Sequence, residues 1–255
     1  MSNSIHSDHS KEHSLDTDEP VNRIQTTGDG NEFVVIGNHK YYRHELMSAF
    51  GGTLNPGLSP RPVHQFANPA PLGLCAFALT TFVLSSYNAR VGGITIPRAV
   101  LGLAAFYGGL VQFLAGVWEM AIGNTFGATA LTSYGAFWLA YNALLVPAFG
   151  VEAAYEGSGQ WATAVAFFLT GWAIFTFILT LLTLKSTVFF CALFSCLTLT
   201  FVLLAIGDFI GSVATTRAGG VVGIITAFLG FYNAYAGTAT PTNSYFGAKV
   251  IPLPN

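Results

Sequence analysis

Six stretches of the chain carry no charged residue: 66–89, 99–118, 120–151, 157–184, 186–207 and 218–248. Each holds about 20 residues or more, the length a helix needs to cross a hydrocarbon core about 30 Å thick. Inside a bilayer every backbone N–H and C=O must be satisfied within the segment, so apolar runs of this length predict helices. A closed barrel would need many strands of about ten alternating residues, and these runs do not alternate. The expectation is an all-α polytopic membrane protein with six transmembrane helices in residues 66–248 and a short C-terminal tail, 249–255.

Residues 1–65 follow another pattern, rich in Ser, His, Asp, Thr and Gly, with apolar residues only in short islands such as Phe33-Val34-Val35-Ile36. A segment so composed cannot bury enough surface to offset its ordering entropy, and a disordered hydrophilic tail is predicted. It has no apolar run near Met1 that would make it a signal peptide. The tail is either a regulatory segment or merely solvated.

The first span opens on Asn68-Pro69-Ala70-Pro71-Leu72-Gly73-Leu74. Proline fixes its own φ and lacks an N–H, so two prolines within four residues suit a helix's first turn. Asn68 is a good N-cap type, and the free N–H groups of such an entrance can hold a carboxylate. Glycine recurs inside the spans, at Gly108-Gly109, Gly123-x-x-x-Gly127 and Gly219-Gly220-x-x-Gly223, as expected where helices pack closely in lipid.

The second and fifth spans end alike, in Leu114-Ala115-Gly116-Val117-Trp118-Glu119 and Leu204-Ala205-Ile206-Gly207-Asp208, and Tyr-Asn-Ala recurs at Tyr141 in the third span and Tyr232 in the sixth. A duplicated set of three helices must insert with opposite topology, so a 3+3 inverted repeat is a possibility, with any site near the midplane between the halves. Tyr87-Asn88-Ala89 breaks this register, and chance is the rival explanation.

Charge sharpens the picture. Only 9% of residues are charged and the net charge is −2, against about 25% charged in soluble domains; nucleic acid is not expected as a partner. All six histidines lie at or before His64, which leaves the membrane part without a His-based triad or His-bearing metal site. No enzyme chemistry, cofactor or metal is expected, and Cys75, Cys191 and Cys196 are taken as small apolar residues. Six spans put both termini on one side. That side is expected to be cytoplasmic, because a long unsignalled hydrophilic tail is hard to translocate.

Glu119 and Asp208 lie at apolar span ends, where an ionisable group is costly and is a candidate for a pathway or proton-coupling role; the alternative is that both reach the interface and cap loops. After Asn124, hydroxyls at Thr125, Thr129 and Thr132 follow i, i+4, i+7 spacing on one face. Such a stripe suits a pore wall, unless each hydroxyl bonds back to its own helix.

The motif at Asn68–Leu74, the segment Gly123–Trp138 and the segment Gln112–Glu119 together resemble the acetate uptake transporter family, which includes bacterial succinate–acetate permease, fungal acetate permeases and members linked to ammonia export. The resemblance covers residues 68–255 almost throughout. It implies a six-helix subunit of a hexamer, placed in the plasma membrane, that moves acetate and similar short monocarboxylates with protons. Ammonia export is the alternative within the family, and a sensor or scaffold role the one outside it. The resemblance also implies an apolar constriction at Phe77, Tyr134 and Leu197, with Asn68, Pro69, Gln112, Glu119, Asn124, Thr125, Thr129 and Asp208 along the substrate path. Gly230 stands where Ala is expected, and Arg217 where bacterial members tend to have His.

Overall fold

The computed structural model describes residues 25–49 and 66–254. Expectations for residues 1–24 and 50–65 lie outside the described residues. The chain divides into two compact units, Met1–Gln65 and Phe66–Asn255.

In the first unit the structure departs from the expected disorder. Strands β1 (Gln25–Thr27), β2 (Phe33–Ile36) and β3 (His39–Tyr42) form an antiparallel sheet in that order, followed by helix α1 (Arg43–Ala49). Local chemistry explains the sheet where overall composition did not. Ile36 pairs with His39, so Gly37-Asn38 is a two-residue hairpin loop, and Gly37 adopts the φ of +61° that such loops demand. The Phe33 and Tyr42 rings pack across β2 and β3, tilted at 39° with centroids 4.8 Å apart, a cross-strand pair of the kind that stabilises a sheet. Glu32 accepts from the Gly30 N–H at 2.9 Å, and backbone hydrogen bonds hold its carboxyl below the usual carboxylate range.

The second unit is a helical bundle. Its rods are α2 (Ala70–Asn88), α3 (Val100–Ala105) continuing through a π-helical segment (Phe106–Val111) into α4 (Gln112–Ala121), α5 (Thr125–Leu145), α6 (Trp161–Leu182), α7 (Val188–Ile210) and α8 (Val213–Thr238). Five rods are long and apolar enough to cross a membrane: α2, α3–α4, α6, α7 and α8. Helix α5 has 21 residues, but Tyr134, Trp138, Tyr141 and Asn142 among its threonines and small residues lower its hydropathy, and it falls outside that group.

Boundaries follow caps more closely than charges. Arg217 was expected in a loop and Asp208 at the very end of its span, yet α8 begins at Val213 and α7 runs to Ile210. Ser212 caps α8 by accepting from the Thr215 N–H at 3.2 Å, and Gly211 turns the chain with φ +62°. Asn68 accepts the Ala70 N–H at 3.1 Å at the start of α2, although the N-cap position falls to Pro69 and not to Asn68 as expected.

Two crossings depend on missing side chains. A Cβ on Gly135 would stand 2.6 Å from the backbone N of Phe113, and one on Gly220 would stand 2.7 Å from the backbone C of Asn88. Helices α4 and α5, and α2 and α8, therefore touch backbone to backbone. Gly123 has a different use from the packing expected of it, since its φ is +84° in the turn between α4 and α5.

Candidate functional site

A buried cavity of about 140 Å³ lies among α2, α5, α6, α7 and the start of α8. Phe77 of α2, Tyr134 of α5 and Leu197 of α7 all line it. They come from three helices and positions far apart in sequence, and each is at least 95% buried. The Phe77 and Tyr134 rings are 5.9 Å apart. Most of the remaining wall is apolar: Leu84, Phe137, Leu169, Phe201 and Leu204.

Asn88, Asp208 and Thr216 line the cavity and also an adjoining open pocket of about 250 Å³, where Arg90, Gly211 and Ser212 join them. The apolar chamber thus continues to a polar mouth at the Asp208 end. Gly230, at its other position of interest, would bring a Cβ to 3.4 Å from the Phe77 ring and 3.0 Å from the Ala78 Cβ.

Helix α6 supplies the support that sequence reasoning missed. The Tyr134 hydroxyl donates to Thr176 Oγ1 at 3.0 Å, and its ring packs against Trp172 and Phe175. Thr176 is fully buried and sits outside the cavity lining. Thr180, one turn on, hydrogen-bonds with Thr198 of α7 at 3.0 Å, next to Leu197. These bonds tie the helices that carry Tyr134 and Leu197 to α6. A threonine in an apolar span gives no advance sign of such a role.

Apart from Asp208, the other expected site residues do not line this cavity. Glu119 is fully buried at the end of α4, where its Oε2 accepts from Asn124 Nδ2 at 2.6 Å. Asn124 in turn caps α5 by accepting the Gly127 N–H at 3.0 Å. A carboxylate is well placed there, because a helix N-terminus favours negative charge. Gln112, also fully buried, follows the π-helical segment, and its amide has no partner among the described residues. Thr125 and Thr129 face outward; Thr129 donates to the Thr125 carbonyl at 2.8 Å, and Thr132 to that of Ala128 at 2.5 Å. That is the back-bonding alternative raised for the stripe. Asn68 is exposed and Pro69 buried at the start of α2, at the opposite end of that helix from Asn88.

Residues 50–255 match the model of the GPR1/FUN34/yaaH family. The chain belongs to this family. Ammonia transport outward protein 2 of Saccharomyces cerevisiae is 56% identical over 93% of this chain and 84% of its own length. Acetate permease A of Emericella nidulans is 46% identical, covering 85% of this chain and 77% of the relative. The succinate-acetate/proton symporter SatP of Escherichia coli is 38% identical over 74% of this chain and 96% of its own length. The solved structure of the bacterial acetate channel SatP aligns with a TM-score of 0.64 at 37% identity, covering 74% of this chain and all of the other. This GPR1/FUN34/yaaH protein is a multi-pass membrane protein, and its relatives are of transporter and channel type.

Proposed function

We propose that this protein conducts acetate and similar short monocarboxylates across the plasma membrane together with protons, and that it is not an enzyme. The observation that carries the reading is the convergence of Phe77, Tyr134 and Leu197 on one buried chamber that continues to a polar mouth at Asp208. An apolar ring of this kind rejects hydrated ions and passes a small carboxylate, or its neutral acid, that sheds its water. Relatives named acetate permease and succinate-acetate/proton symporter support the same cargo and the coupled proton. A co-transported proton also removes the electrical opposition that an inside-negative membrane sets against an anion.

In this reading α5 is the sixth span, both termini face the cytoplasm, and the subunits assemble as a hexamer. Ammonia export is the second reading, favoured by the relative named for it; the lack of any histidine after His64 counts against a histidine-lined ammonium pore. The deciding experiment is uptake of labelled acetate by purified protein in liposomes with an imposed pH gradient. Acetate accumulation driven by an acidic exterior is expected. Ammonium flux without acetate flux would instead establish the second reading.

A further inference from the structure

Four residues of α7 that line the chamber, Leu197, Phe201, Leu204 and Asp208, recur at i, i+4, i+7 and i+11, the spacing of one helix face. Asp208 therefore stands in line with the filter residue Leu197, about three turns nearer the mouth. It is half-buried and lines both the chamber and the open pocket, as do Asn88 of α2 and Thr216 of α8. These three mark the passage from one to the other. A Cβ on Gly207 would stand 3.0 Å from the Thr216 backbone N, so α7 and α8 cross closely beside the carboxylate.

Among the described residues that line the chamber, Asp208 alone is charged at neutral pH. No neighbouring cation cancels it. Arg90 lines the open pocket only, and Arg217 is exposed and lines neither. The one ion pair among the described residues joins Arg98 to Glu152. Anion pores are ordinarily ringed by Arg or Lys, and Asp or Glu rings suit cations. A lone carboxylate at the throat of a carboxylate pathway therefore needs a use.

We propose that Asp208 is a specificity-determining residue that limits the charge of what passes: it leaves an undissociated acid unhindered, tolerates a monocarboxylate and refuses a dicarboxylate. Its repulsion scales with the charge of the passing molecule and strengthens where water is excluded. The neutral acid meets none of it, a monoanion meets one unit and a dianion two. The apolar ring of Phe77, Tyr134 and Leu197 sorts by size and hydration, and Asp208 adds a separate test of charge. This role rests on the transport reading and names the charge of the substrate it admits.

The test is entry of labelled acetate, lactate and succinate into liposomes holding the full-length protein at neutral pH, where succinate carries two charges. Asp208→Asn keeps the size of the side chain and removes its charge. It is expected to raise the succinate-to-acetate ratio about ten-fold and to leave the lactate-to-acetate ratio fixed. Asp208→Glu keeps the charge and should leave both ratios near those of the unmodified protein, a contrast that a merely structural role would not produce. If Asp208→Asn does not fold, Asp208→Ser is the neutral variant, and lactate reads any widening: succinate must gain more than lactate. An unmoved succinate-to-acetate ratio, an equal gain for lactate, or the same gain in Asp208→Glu overturns the role. A fall in ammonium flux with that ratio unmoved would assign Asp208 to the ammonia reading instead. Without acetate entry through the unmodified protein the transport reading falls and this role with it, whereas acetate entry with an unmoved ratio removes the role alone.

Discussion

Leu197 brings only volume to the chamber wall, so volume is what its substitution tests. If it belongs to the filter, Leu197→Ala widens the aperture and raises lactate transport relative to acetate. If it is only core, the change leaves a void costing about 2–5 kcal/mol and lowers all substrates together. The lactate-to-acetate uptake ratio per mole of folded protein separates the two, because expression level cancels from it. Gly230 packs beside the same ring: the Cβ of Gly230→Ala would touch Phe77 and crowd the neighbouring Ala78, which should lower the ratio. Thr176 acts on Tyr134. Thr176→Val strands a buried phenol hydroxyl, at a cost of about 1–3 kcal/mol, whereas Thr176→Ser keeps the acceptor; thermal unfolding in detergent should show a lower midpoint for Val and recovery for Ser. Phe77, Tyr134 and Leu197 were legible only through their motifs, since composition and spacing make all three ordinary core residues. Thr176 was not legible at all. A threonine that only bonds its own helix and one that also holds a neighbouring helix's tyrosine have the same sequence context.

Helices are the most legible level of this molecule, because runs without charge report a backbone that must satisfy itself in lipid. What such runs miss is anything set by a few local contacts. The sheet at residues 25–42 depends on the Gly37-Asn38 loop and the Phe33–Tyr42 pair, features that a composition average dilutes. The start of α8 depends on Ser212, and Arg217 is carried within its first turns, exposed. The two acids that suggested a repeat share one local setting. Glu119 lies near the Asn124 cap at the α5 entrance, and Asp208 lies at the mouth with Asn88, each acid a few residues before the next helix's cap. Glycine usage gives a sharp element-level test. Gly135→Ala must push α4 and α5 apart, since the atom in its way is backbone, and a large fall in unfolding temperature or failure to fold is expected. Gly102→Ala meets nothing within 4 Å and should be neutral or stabilising by up to ~1 kcal/mol, as helix propensity dictates. Parallel melting curves of the two variants check both expectations.

At the scale of the whole molecule, the outward faces decide what the subunit needs around it. Helix α6 exposes Phe167, Ile174, Phe177, Ile178 and Leu181, an apolar face suited to lipid acyl chains. Helix α5 differs, because it exposes Thr125 and Thr129 near its start, with Thr129 bonding its own helix rather than any neighbour. A polar, small-residue face of this kind packs better against protein than against hydrocarbon. It is the physical support for assembly in the proposed hexamer, independent of family likeness. If α5 lies at a subunit contact, Thr125→Trp and Thr129→Trp should split the particle, because bulk on that face blocks close approach while leaving the chamber of each subunit untouched. Light scattering of the detergent-purified protein is expected to give six chain masses for the unmodified protein and a smaller particle for the Trp variants. A monomeric unmodified protein that takes up acetate fully after reconstitution would remove assembly from the mechanism, and α5 would then face lipid as the more polar of six spans.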